Sequence, residues 1–197
     1  MRKAIAIGIV CAALALPLWT PTAAAQSSGA WLDATPVKNW NKANAAVPRA
    51  PKMSDAVSRE YAEFFRKPQV PVDTLVTQAG WKLYGAVQLF GPATVVTALA
   101  GFDGMGRPLQ YQGFVFVNGG FVGTISPTPM DSRTDGSESV ITLVGENSLL
   151  VEYLRYKESD ALCCPSATSY VTFTIDKAGK NGLLTVNDVS TEPNSKQ

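Results

Sequence analysis

The chain has 197 residues, with 17 Lys and Arg against 16 Asp and Glu, 46% hydrophobic residues and no histidine. So balanced a charge offers no basic stripe to gather nucleic acid or anionic lipid, and binding to nucleic acid is not expected. The lack of histidine removes the group on which most acid–base work near neutral pH depends, and with it Ser-His-Asp and Cys-His nucleophiles and the usual nitrogen–sulfur zinc sites.

Residues 1–25 read as an export signal. Arg2 and Lys3 form the charged start, residues 4–18 an apolar stretch, and Ala23, Ala24 and Ala25 a small-x-small ending, so the mature chain is expected to begin at Gln26. Pro17 and Pro21 break the stretch, which falls short of the roughly 20 residues of a membrane span. No later segment is long and apolar enough to span, so none is expected after cleavage. Loss of Arg2 and Lys3 leaves 15 basic against 16 acidic residues, a net charge of −1, and loss of Cys11 leaves Cys163 and Cys164. The expected location is periplasmic or extracellular.

Residues 26–52, polar and small with Pro36 and Pro48, read as an extended arm whose Trp31 and Trp40 dock on the domain or face a partner. Val57, Tyr61, Phe64 and Phe65 then fall on one helical face, and the spacing predicts an amphipathic helix over 54–67. Ser54 would cap it, Pro68 would end it, and Val57, Tyr61 and Phe64 would pack it on the domain.

From Pro71 onward, β-branched and aromatic runs separated by Gly, Asn and Asp predict strands over 81–90, 94–102, 109–117, 121–125, 139–144, 150–156, 169–175 and 183–187. Turns are expected at 118–120 and 145–148. With no helix between strands, the sheet should be antiparallel. The fold class is therefore α+β, mainly β: an antiparallel curved sheet or partly open barrel with one N-terminal amphipathic helix. A single β-rich domain is expected over 53–189, with a flexible tail over 190–197.

Residues 131–136 begin like a calcium loop, but Arg133 stands where an oxygen ligand belongs and Thr142 where a glutamate is needed, so they read as a turn. Residues 101–106 are rich in glycine, yet no lysine follows at phosphate-loop spacing and Pro108 blocks a helix start. Ser126, Ser132 and Ser166 have no base partner. No catalytic residue, metal site or cofactor is expected.

Cys163 and Cys164 are the unusual chemistry of the mature chain. They stand in a predicted loop with Glu158 and Asp160 before them and Pro165 and Ser166 after. Export favours oxidised thiols. Neighbouring α-carbons, however, lie about 3.8 Å apart, against roughly 4.4–6.8 Å in ordinary disulfides, so a bond between these two would be strained and easily reduced. Four states are open: a structural vicinal disulfide, two thiols able to bind a soft metal ion or exchange with other thiols, intermolecular disulfides, or a buried inert pair. Bonding to each other in a structural link is the expectation.

The run Gly119-Gly120-Phe121-Val122-Gly123-Thr124, then Tyr153-Leu154-Arg155-Tyr156, Asp160-Ala161-Leu162-Cys163-Cys164-Pro165-Ser166 and Val171-Thr172-Phe173 resembles the LppP/LprE family of bacterial envelope lipoproteins over about residues 75–190. Cys11 follows Gly8-Ile9-Val10 and lacks the Leu-Ala-Gly type of lipobox, a departure from the family's anchoring pattern. The resemblance implies an envelope location and a β-rich fold, and no assigned reaction. The expected function is a non-enzymatic exported domain that binds an envelope component or small ligand, on a curved sheet face. The alternative is a thiol-dependent role, soft-metal binding or redox exchange, at Cys163 and Cys164.

Overall fold

The computed structural model describes residues 29–53, 59–176 and 182–195. The export signal and residues 54–58, which hold the expected cap Ser54 and Val57, lie outside the described residues. Among the described residues, eight strands make two four-stranded antiparallel sheets. The first holds β1 (Lys82–Phe90), β2 (Ala93–Phe102), β3 (Pro108–Val117) and β4 (Gly120–Thr124), each hydrogen-bonded to the next. The second holds β5 (Ser137–Gly145), β6 (Ser148–Arg155), β7 (Ala167–Asp176) and β8 (Leu183–Pro193) in the same order.

Val95, Leu99, Tyr111, Val115 and Ile125 from the first half of the chain meet Leu149, Val151, Tyr153, Val171 and Phe173 from the second in one buried core. Strand alternation sets this up on the second sheet, where Leu149, Val151 and Tyr153 are buried and Leu150, Glu152 and Leu154 only partly so. In the first sheet the central strands β2 and β3 are buried on both faces. Behind it a second core gathers Val96, Ala98, Phe114 and Phe116 against Val72, Val76 and Trp81. Both faces of β2 and β3 therefore read as apolar, as in any strand covered on two sides.

The sheets do not close into a barrel. Their edges meet along two seams, β1 beside β5 and β4 beside β8, without a continuous ladder between them. Amide side chains occupy these seams. At one, Gln88 Nε2 donates to the Ile141 carbonyl (2.6 Å) and Gln88 Oε1 accepts from the Leu143 N–H (2.9 Å). At the other, Asn41 of the arm reaches both Thr124 and Leu184. The connection after β4 carries the chain from one sheet to the other, and Met130 within it pairs with Tyr111.

The strands match the expected segments closely, but the helix does not. Of residues 59–67, only 59 and 60 are in α-helix; a 3-10 helix follows over Ala62–Phe64, and Phe65 is extended. Two stronger attractions override the helical periodicity here. The Phe65 ring stacks on buried Phe102 (5.5 Å), and Arg66 donates its N–H to the Leu83 carbonyl (2.8 Å) and its guanidinium to buried Asp73. Phe64, expected in the core, is 54% exposed. Tyr61 does pack on Phe102, beside Gly106, where a Cβ would stand 2.7 Å from the ring.

A short helix, α1 (Asp73–Gln78), was not foreseen. It buries Val76 against the back of the first sheet, and the Asp73 carboxylate accepts the N–H groups of Gln69 and Val70 as the chain enters the turn. The end of the chain also differs from expectation. β8 runs through Pro193, which pairs with Ala167, so residues 190–193 are laddered to β7 and are not a frayed tail.

Candidate functional site

Two places combine unusual chemistry with accessibility. The first is the loop from 156 to 166 between β6 and β7. Asp160, after a turn, accepts the N–H groups of Lys157 (2.8 Å) and Ser166 (3.0 Å), which ties the two ends of the loop together. These donors hold the Asp160 carboxyl below the usual carboxylate range. The Tyr156 hydroxyl donates to the Leu162 carbonyl (3.1 Å), and the Cys164 N–H donates to the Ala161 carbonyl (2.8 Å). On the far side Asn194 Nδ2 donates to the Pro165 carbonyl and Asn194 N–H to the Ser166 carbonyl, both at 2.9 Å.

On this frame sit Cys163 and Cys164, both exposed, their sulfurs at disulfide distance. Glu158 is exposed; Asp160, Pro165 and Ser166 are partly buried beside the pair. The predicted loop residues are thus brought together, with Asp160 and Ser166 serving as braces. Ser126 is wholly buried, donating to the Thr128 carbonyl (2.6 Å), and residues 131–136 form the expected turn with Gly136 at positive φ. Among the described residues no group of three or more Cys, Asp and Glu is placed to hold a metal ion.

The second place is a cleft of about 600 Å³ lined almost wholly by the arm itself, from Trp31 and Pro36 to Trp40, with Pro127 of the domain on one side and exposed Lys38 among its lining residues. Both tryptophans dock on the domain: Trp31 meets Trp40 edge-on (4.8 Å) and Tyr153 edge-on (5.2 Å), and Trp40 meets Phe173 (6.2 Å). Trp40 Nε1–H donates to the Thr124 hydroxyl (3.0 Å). The Trp31 Nε1–H is buried without an acceptor among the described residues.

The arm is anchored at either end of this cleft. Arg155 at the end of β6 pairs with Asp33 of the arm (2.8 Å) and with Asp135 before β5 (2.9 Å). Asn39 and Asn41 both donate to the Leu184 carbonyl (3.2 Å). The sequence pointed to the cleft only through two isolated tryptophans in a polar stretch. Pro127, Lys38 and the asparagines gave no signal, because nothing local shows that residues from 31 to 41 will lie against residues near 125 and 184.

The fold and its two places define a two-layer antiparallel β protein that carries a loop with two cysteines at disulfide distance and an apolar cleft lined by an N-terminal arm. The model of the LppP/LprE lipoprotein family matches residues 91–178, which span β2 through β7 and include the cysteine loop. The resemblance read from the sequence holds over that span, and it points to an envelope protein of unknown function. No curated protein and no solved structure matches the chain. No helix among the described residues is long and apolar enough to cross a membrane.

Proposed function

We propose that the chain is exported, is cleaved after Ala25, and serves in the cell envelope as a non-enzymatic domain that binds a small amphiphile in the cleft lined by the arm and Pro127. The observation that carries this reading is the cleft itself. Its size falls in the range that holds small ligands, and its walls are aromatic and apolar with few polar groups, the usual lining of such sites. Among the described residues that line it Lys38 is the one cation, and Asp33 next to the lining is engaged by Arg155. An apolar body against Trp31, Pro36, Trp40 and Pro127 with an anionic head at Lys38 is the complementary ligand. On this reading the ligand sits against the arm, where the sequence suggested a sheet face.

No reaction is proposed. The buried serine is spent on structural hydrogen bonds, and neither nucleic acid nor a membrane span enters the account. Dodecanoate is a suitable probe. Added to the mature chain, it should change tryptophan fluorescence saturably, and Lys38→Ala should weaken binding about tenfold, as loss of one charge-assisted contact predicts. Unchanged fluorescence at millimolar probe would refute the reading.

A further inference from the structure

We propose that Cys163–Cys164 is a reversible redox site that exchanges two electrons with an external dithiol. Three observations lead there. Both residues are exposed, so an attacking thiolate has access to sulfur. The loop is held by other means: Asp160 ties Lys157 to Ser166, Tyr156 holds Leu162, Asn194 holds Pro165 and Ser166, and the Ser166 N–H donates to the Arg155 carbonyl (3.1 Å). The bond joins immediate neighbours, with α-carbons 3.8 Å apart, so it closes no chain and constrains the unfolded state hardly at all. A link that adds so little stability, in a frame that stands without it, leaves its chemistry as its role.

The exchange balances as follows. A thiolate of the dithiol attacks one sulfur of the pair, forming a mixed disulfide and releasing the other cysteine as thiolate. The second thiol of the reagent then displaces the first cysteine. The pair gains two electrons and two protons; the dithiol leaves as its own disulfide. This inference is independent of the cleft and of whatever binds there, since the loop shares no residue with its walls.

The test uses the intact mature chain in dithiothreitol buffers of stepped reduced-to-oxidised ratio, quenched by alkylation and weighed, with circular dichroism and the thermal midpoint followed in parallel. The expected result is a single transition in which two labels appear together, with the fold and midpoint retained, and closure again in oxidised buffer. Cys163→Ser/Cys164→Ser should match the reduced chain in midpoint. Label uptake only after denaturant, loss of structure on reduction, a disulfide-linked dimer, or two thiols that oxidised dithiothreitol does not close would each overturn the proposal.

Discussion

Asn41 and Thr124, 83 residues apart, exchange hydrogen bonds as two strand residues do: the Thr124 N–H donates to Asn41 Oδ1 at 2.8 Å, and Asn41 Nδ2 donates to the Thr124 carbonyl at 3.0 Å. A side-chain amide carries an N–H donor and a carbonyl acceptor side by side in one plane, as a peptide does, with a second N–H to spare, so it can stand in for a rung where two sheet edges come close without pairing. Gln88 does the same at the opposite seam. Asn41 approaches so closely because residue 123 is glycine; a Cβ there would lie 2.5 Å from the Asn41 Cγ, and the backbone stands at φ 155°.

Replacing either amide should therefore loosen the pairing of the sheets. Asn41→Ala and Gln88→Ala are each expected to cost about 1–3 kcal/mol, the penalty for leaving partly buried backbone groups unpaired. Gly123→Ala should be at least as damaging as Asn41→Ala. Chemical denaturation of the three variants checks this, and the two alanine substitutions at separate seams should add.

Phe102 and Phe64 should separate sharply. Phe102 is 3% exposed and is ringed by Tyr61, Phe65 and Tyr84, so Phe102→Ala should cost about 3–5 kcal/mol. Phe64 is mostly in solvent, and Phe64→Ala should stay within about 1 kcal/mol. Equilibrium unfolding midpoints of the two variants are the measurement.

Arg66 and Asp73 form a buried pair with two bonds of 2.8 Å, Arg66 Nη1 donating to Asp73 Oδ2 and Nη2 to Oδ1. Burial alone would raise the Asp73 pKa, but the Arg66 bonds and the N–H groups of Gln69 and Val70 together hold it below the usual carboxylate range. A carboxyl depressed in the native state stabilises fully above its unfolded pKa of about 3.9, and that contribution disappears as pH falls through the lower native value. Asp73→Asn should cost about 3–5 kcal/mol at neutral pH, since it strands a buried guanidinium, and should flatten the acid end of the stability curve. Thermal midpoints between pH 2 and 7 decide it.

Glu138 behaves in the opposite sense. Burial pushes its carboxyl up to about 7, and it faces Tyr111 of β3 and Tyr153 of β6, both held as phenols first by burial and further by the Glu138 charge. The native state then holds a proton that the unfolded chain releases near pH 4.3, so stability should fall as pH rises from about 4.3 to 7 and level off above. Glu138→Gln should remove that slope, matching the wild type near pH 4 and exceeding it by about 1–3 kcal/mol at pH 8. Midpoints against pH for both chains supply the comparison.

The strands were legible because each is a short β-branched or aromatic run bounded by turn residues; Asn118 and Gly119 take the positive φ angles that a tight hairpin needs. The division into two sheets was not legible. It depends on where the chain after β4 crosses over, and on Gln88 and Asn41, whose neighbours at Leu143 and Thr124 are distant in sequence. The helix over 54–67 failed from Tyr61 onward for a similar reason: its apolar spacing was real, but Phe65 answers to Phe102 and Arg66 to Asp73 and Leu83. The cysteine loop was legible as a loop, while its bracing by Asn194 was hidden by reading the last residues as a tail.

The central claim is that the cleft lined by the arm receives an apolar, anionic ligand, and the indole N–H signals of the mature chain test it most directly. In proton–nitrogen spectra with and without dodecanoate, the account predicts that the Trp31 resonance moves saturably, accompanied by backbone signals from 34–40, while signals from the outer strand face at Glu152 and Thr172 stay in place. A Trp31 signal that does not move, or shifts confined to that outer face, would contradict it.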